Sequence, residues 1–374
     1  MTTWRVPFSV PEIGAPAKTA LIAALESGWP SQGPRTRAFE EAFARSVGTA
    51  HAVATSSGTA ALHLALAACR LAPGDEVVVP SLTFVATANA VVAAGGRPVF
   101  ADVTSLDDPC LSAATVERVL GPKTRAIIAV HYGGMPCEMG PLRQLAAARG
   151  LALIEDAAHA TGAFLDGRAV GSLGDAGCFS FYATKNLSTI EGGMVTTDDD
   201  ALAESVRRGR SHGLTGLSWE RHLGASPDRD VVQPGFNYRM DDLRAALGLA
   251  GLGALPEVNA RRAALVQRYR MTVASSDCLA LAFSDVRPGR VTASHLAALV
   301  VRGGREERDA LSRKLEAAGV QTSHHYAPAH GMTCYRRDGV ELPMTDLFAD
   351  SQLSLPLFSV MSPDQIDLIC ELLR

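Results

Sequence analysis

The chain has little of what would assign it to several broad classes. Its seven cysteines are odd in number, and no two form a Cys-x-x-Cys pair. That argues against a disulfide framework and against a cysteine zinc site. They read instead as small, mostly buried hydrophobes of a reducing compartment. The formal net charge is only −4, which leaves no basic footprint for nucleic acid or an anionic membrane. No apolar run is long enough to span a bilayer. The stretch from Met1 to Pro7 lacks a basic segment followed by an apolar core. The expected setting is cytoplasmic. There is no Gly-x-x-x-x-Gly-Lys-Ser/Thr loop, and Gly251-Leu252-Gly253 lies in a helical pattern without a third glycine, so nucleotide-loop and dinucleotide fingerprints are missing. His324, His325 and His330 cluster without a carboxylate-and-cysteine set, which argues against a metal centre.

The 374 residues are 47% hydrophobic, enough for one large domain and a smaller one. From about residue 50 to 200, short apolar runs alternate with Ala- and Leu-rich helical patterns. Strands are expected at His51–Ser56, Glu76–Pro80, Pro98–Asp102, Ala126–His131, Leu151–Asp156, Ala176–Phe181 and Gly193–Thr197. Near-continuous hydrophobic strands joined by helices predict an α/β fold with a mostly parallel sheet covered on both faces. The last three strands lack long helices between them, so a mixed sheet of seven strands is expected. Residues 211–234 have no clear period and read as a long loop. Helices are expected at Arg239–Leu255 and, starting on Pro256, at Pro256–Thr272. A strand at Ala293–Val301, a helix at Arg305–Ala318 and a strand at Val320–His324 suggest a smaller α/β unit. Ser362 caps a closing helix to Leu373. The division expected is an N-terminal arm (1–35) beside the small domain, a large domain (36–255) and a small C-terminal domain (256–374).

Chemistry concentrates at strand ends. Lys185 follows Cys178-Phe179-Ser180-Phe181, a buried strand, and desolvation there can turn a lysine into a nucleophile. Taken alone, Lys185 reads more readily as a solvated strand-end lysine, and the surrounding residues reverse that. Asp156 ends another strand, where α/β folds place ligand sites. A Schiff-base lysine plus an aspartate for a pyridinium nitrogen is the minimum apparatus of a pyridoxal-phosphate (PLP) enzyme. His159, three residues on, can reach the ring-hydroxyl side of such a cofactor. Ser56-Ser57-Gly58-Thr59 opens a helix, and helix-start N–H groups attract a phosphate. Ser180 can reach the same phosphate if the strand end turns. Phe84 follows another strand end, where an aromatic can stack on a ring or equally fill core.

These pieces together resemble the DegT/DnrJ/EryC1/StrS family of PLP-dependent sugar aminotransferases. The resemblance runs through Ser57-Gly58-Thr59-Ala60-Ala61-Leu62, Pro80-Ser81-Leu82-Thr83-Phe84, Glu155-Asp156-Ala157-Ala158-His159, Thr184-Lys185-Asn186, Glu191-Gly192-Gly193 and Gly235-Phe236-Asn237-Tyr238-Arg239-Met240. It implies the fold-type I transferase architecture. By resemblance, Lys185 carries PLP as a Schiff base, Asp156 meets the ring nitrogen, His159 lies near the ring oxygen and Phe84 stacks on the ring. Gly58, Thr59 and Ser180 hold the phosphate. Asn237 reaches the phosphate of the neighbouring subunit's cofactor, and Arg239 the nucleotide-sugar phosphates across a homodimer interface. His325 and Tyr326 fit a substrate-side loop. Ile190 and Ala183 depart from the family pattern, which frequently has a small residue and a proline there; neither position carries a reacting group.

The implied partners are L-glutamate as amino donor and a nucleotide-linked keto-sugar as acceptor. Ser27-Gly28-Trp29-Pro30-Ser31-Gln32-Gly33-Pro34 is similar to members acting at C4 of 4-keto-6-deoxysugars, with Trp29 on the substrate side. Alternatives are a C3 keto-sugar or cyclitol aminotransferase and, in another class, a non-catalytic nucleotide-sugar-binding regulator. A sugar 3-dehydrating branch replaces the lysine by histidine, and Lys185 argues against it.

Overall fold

In the computed structural model, residues 4–216, 219, 224 and 230–374 are described. The chain opens with α1 (Ala15–Glu26) and α2 (Pro34–Val47), and then alternates strand and helix. The strands are β1 (His51–Thr55), β2 (Glu76–Pro80), β3 (Arg97–Ala101), β4 (Thr124–Val130) and β5 (Ala152–Asp156). Between them lie α3 (Gly58–Ala68), α4 (Ala86–Ala93), α5 (Ala113–Glu117) and α6 (Met139–Arg149). After the two-residue strands β6 (Phe164–Leu165) and β7 (Arg168–Ala169) come β8 (Ala176–Ser180), β9 (Gly193–Thr197) and α7 (Asp200–Gly209). The seven-stranded sheet has the order β1-β9-β8-β5-β4-β2-β3. Only β9 runs against its neighbours. The mixed, mostly parallel sheet expected from the alternation is present. Ile127 and Ala129 of β4 enter the core on one face, and Ala126 and Ile128 enter the core on the other. That double burial is why the strands read as unbroken apolar runs rather than as alternating ones.

Pro256 does not start a helix. A single 32-residue helix, α8 (Asp242–Val273), carries it in its interior. An internal proline costs a helix a hydrogen bond and about 3 kcal/mol. Here tertiary packing outweighs that cost, because α8 lies against α1 and α2 along one part and against the closing helix and β10 (Leu279–Leu281) along another. Its N-cap region also ties the arm down. The buried Asp242 carboxylate accepts from the N–H groups of Gly33, Arg35 and Thr36 at 2.8, 3.1 and 2.9 Å, satisfying the open start of α2.

Beyond α8, β11 (Arg290–Val291) pairs with β6. The second sheet is β10, β12 (Ala297–Val301) and β13 (Gln352–Leu355), all antiparallel. Two expectations change here. The strand predicted from Ala293 begins only at Ala297, and the 293–296 segment bends toward the large sheet through Ala293 and Leu296, which bond to Gly134 and Gly133. Val320–His324 forms no strand but single bridges, Val320 to Val6 and Ser323 to Ser354. The partner strand β13 takes the place beside β12. Helices α9 (Arg305–Ala317), α10 (Pro343–Ser351) and α11 (Pro363–Leu373) complete the chain. Ser362 caps α11 in a reciprocal capping box with Gln365. Of the loop expected at 211–234, residues 217, 218, 220–223 and 225–229 lie outside the described residues. Among the described residues no helix is long and apolar enough to cross a membrane.

Candidate active site

The parallel strands deliver their C-terminal ends to one edge of the sheet, the position where open α/β sheets gather ligand sites. A cavity of about 510 Å³ lies there. Its wall takes Ser57, Gly58 and Thr59 after β1, Phe84 and Thr87 after β2, Val130 of β4, Asp156 of β5, and Ser180 and Lys185 from and after β8. The second half of the chain closes it with Arg262, His295, His325 and Tyr326.

Asp156 is 6% exposed. Its carboxylate accepts from Thr87 Oγ1 at 2.8 Å and from the Ala158 N–H at 3.2 Å. Burial raises its proton affinity, and the Thr87 hydroxyl, the Ala158 N–H and Lys185 act in the opposite direction. The neighbouring Glu155 points to the other side of the strand. It is fully buried and accepts from the N–H groups of Gly171, Leu173 and Gly174, which pins the loop beneath the site. Burial lowers Lys185 from 10.5 to about 8; Asp156 opposes this and Arg262 reinforces it. A fraction of this amine is therefore unprotonated at neutral pH, the form a nucleophile needs.

Among the described residues the His159 ring makes one hydrogen bond, Nε2 to the Tyr326 hydroxyl at 2.9 Å. Its buried Nδ1 has no partner among the described residues. Burial, then Lys185 and His325, hold His159 well below 6.5, so the ring is neutral. His295 lies against it with ring centroids 4.4 Å apart and bonds Asn186 at 3.0 Å. His325 stacks on Phe8 of the N-terminal arm and bonds Ser354 Oγ at 2.8 Å. Burial, Lys185 and His324 bring it down to about 4. Phe84 is 57% exposed at the mouth, its ring 5.8 Å from that of Tyr326.

At the other end, Ser57 caps α3 by accepting from the Ala60 N–H at 3.1 Å. The first N–H groups of a helix have no intrahelical acceptor. Gly58 is required by close approach: a Cβ there would lie 2.8 Å from that of Ser180. Gly193 packs its backbone onto Ser57 in the same way, with a Cβ falling 2.3 Å from the Ser57 carbonyl oxygen.

Of the residues singled out in the sequence, Gly58, Thr59, Phe84, Asp156, His159, Ser180, Lys185, His325 and Tyr326 share this cavity. Trp29, Asn237 and Arg239 do not line it. Trp29 donates to the Gln32 carbonyl at 3.0 Å and packs against Trp219. Asn237 is exposed and bridges Ser211, and Arg239 reaches the Ser211 hydroxyl at 3.3 Å. Sequence reasoning missed Thr87, Arg262 and His295. Thr87 sits one helical turn past Thr83 and bonds it at 2.7 Å, a spacing signal with no chemistry attached. Arg262 and His295 come from far along the chain, and nothing local marks them.

The sequence profile of the DegT/DnrJ/EryC1/StrS aminotransferase family matches residues 11–374. Among solved structures, the aminotransferase TlmJ from Streptoalloteichus hindustanus is 34% identical. The match covers 99% of this chain and 98% of that one, with a TM-score of 0.92. DesV from S. venezuelae, in complex with a ketimine intermediate, is 35% identical over 100% and 98% of the two chains, TM-score 0.90. DesI in the presence of its TDP-sugar product is 35% identical over 100% and 92%, TM-score 0.87.

Proposed function

Because the chain belongs to the DegT/DnrJ/EryC1/StrS aminotransferase family and is a PLP-dependent sugar aminotransferase, we propose that it moves an amino group from L-glutamate to C4 of a nucleotide-linked 4-keto-6-deoxyhexose. The observation that carries the aminotransferase chemistry is that Lys185, lowered to about 8, and the buried Asp156 carboxylate line one cavity.

The donor set fits the cofactor. The open start of α3 and the Gly58–Ser180 approach form an anion cradle, and the unpartnered Nδ1 of His159 suits a ring oxygen. Asp156, steadied by Thr87, suits a protonated ring nitrogen. Gly58, Thr59 and Ser180 would hold the phosphate, His159 the ring oxygen, and Phe84 one ring face. When bound, PLP supplies an electron sink that lets an amino group pass from one carbon to another. Lys185 would hold the cofactor and, once freed by the donor, would take the proton from the donor α-carbon as general base and deliver it as general acid to the cofactor carbon bonded to the transferred nitrogen. Asp156 would keep a positive charge on the ring nitrogen. His159 stays neutral and orients through Tyr326.

Asn237 and Arg239 lie outside the cavity of their own chain. We assign them, with Trp29, to the site of a second subunit in a homodimer, Asn237 toward the phosphate and Arg239 toward the nucleotide. Tyr182, exposed on the cavity wall, supports a contact there. The C4 assignment rests on the Ser27–Pro34 segment.

The test is the visible spectrum of the PLP-loaded protein with L-glutamate. A yellow band that bleaches on glutamate, and a Lys185→Ala variant without turnover, are the expected results. A band unmoved by glutamate removes the donor assignment. Amination of a 3-keto isomer with the 4-keto isomer untouched overturns the C4 assignment. Full function in Lys185→Ala would leave only a sugar-binding role.

A further inference from the structure

Arg262 stands apart from the other arginines whose side chains are largely covered. Arg210, Arg290 and Arg308 each meet a carboxylate, those of Glu40, Asp108 and Asp309. Arg262 is 5% exposed, and among the described residues no carboxylate pairs with it. Its Nε and Nη2 donate to the backbone carbonyls of Ser294 and His295 at 2.9 and 2.6 Å. Carbonyls fix a guanidinium in place without cancelling its charge. A buried unpaired charge is costly, and burial already lowers this one to about 10, so at neutral pH it stays cationic. Nη1 makes no hydrogen bond among the described residues and is not among their buried atoms without a partner, so it is accessible, and Arg262 lines both this cavity and a smaller one of about 130 Å³ beside Asn186. Arg262 and Lys185 are the only arginine and lysine in the wall described.

We propose that Arg262 is the carboxylate anchor for the amino donor. The inference rests on the aminotransferase reading and adds to it the group that selects an amino acid. Three physical points support it. A fixed, unneutralised guanidinium with a free edge matches a carboxylate. The α-carbon whose proton Lys185 moves carries its carboxylate one bond away, whereas the phosphates of a nucleotide-linked sugar lie across the ring from C4. Arg262 and Lys185 line the same cavity, and Arg262 adds to the burial that lowers the amine, so the two cations share one neighbourhood. The acidic groups facing that neighbourhood are Asp156, already held by Thr87 and the Ala158 N–H, and the exposed Glu191.

The experiment compares Arg262→Gln and Arg262→Lys with the wild type as PLP-loaded enzymes. Binding of the unreactive dicarboxylate glutarate is read by titration calorimetry, and the two half-reactions are read separately by stopped-flow absorbance. For Arg262→Gln, glutarate affinity and kcat/KM for L-glutamate should each fall by about 30-fold or more, the effect of losing one charge-assisted pair. PLP content and kcat/KM of the amino-loaded form for the keto-sugar should stay within about threefold. Arg262→Lys keeps the charge without the planar fork, and its loss should be intermediate. Unchanged glutarate affinity overturns the proposal. So does a parallel loss in both half-reactions, which would make Arg262 a clamp for the 294–295 backbone. Loss of PLP affinity alone would make it a phosphate ligand and overturns the proposal equally. If wild-type enzyme fails to bleach with glutamate, the glutamate-donor assignment fails on its own, while the glutarate comparison still reports on Arg262.

Discussion

Replacing Lys185 by methionine should stabilise the protein freed of cofactor. Burial is the main reason that the amine sits at about 8 rather than 10.5. Each tenfold in proton affinity is worth about 1.4 kcal/mol. Keeping the ammonium folded at pH 7 therefore costs on the order of 3 kcal/mol, and water and salt in the cavity bring the expected gain of the variant to about 2 kcal/mol. The pH dependence carries its own sign. Between about 8 and 10.5 the unfolded lysine holds its proton and the folded one does not. The unfolded state then binds more protons, so wild-type stability rises with pH through that window; below 8 this group adds no slope. The methionine variant lacks the rise. Urea midpoints of both cofactor-free proteins at pH 7 and pH 10 measure it: the variant should lead at pH 7, and the gap should narrow by pH 10. A variant no more stable than wild type at pH 7, or a gap that does not close, refutes the desolvated lysine. Lys185 would then be an ordinary solvated amine, almost wholly protonated at neutral pH and poorly suited to attack.

Two further substitutions test the support of the site. Thr87→Val removes the hydroxyl that donates to Asp156; PLP affinity, followed by fluorescence titration, should fall by about tenfold to a hundredfold, the range for a hydrogen bond to a charged group, and Thr87→Ser should restore most of it. Gly58→Ala drives a methyl to 2.8 Å from the Ser180 Cβ; stability should fall by about 1–3 kcal/mol and PLP should be lost faster on dialysis, whereas an unchanged thermal midpoint and cofactor content would show that Ser180 yields.

What the amino-acid sequence determined by itself was local and periodic. The doubly buried strands are legible because both faces of β4 and β5 demand apolar residues, and their order along the chain predicts a parallel sheet whose ends gather ligands. Lys185, Asp156 and His159 were legible because each lies at or just past a strand end and each belongs to an ordered set of short motifs. Pro256 misled because propensity speaks only for the isolated helix, and α8 is held by α1, α2 and the closing helix instead. The strand read from Ala293 was too long because apolar residues at 293–296 are spent on contacts to Gly133 and Gly134 rather than on a ladder. Tertiary structure alone decided that Thr87 steadies Asp156, that His295 lies on His159, and that Arg262 faces the cavity without a carboxylate. These are meetings of residues 69 and 136 positions apart in the chain, or a case where a partner is missing among the described residues. Neither a distant contact nor an unpaired charge leaves a pattern in neighbouring residues, because both arise only when the folded chain removes water from around them.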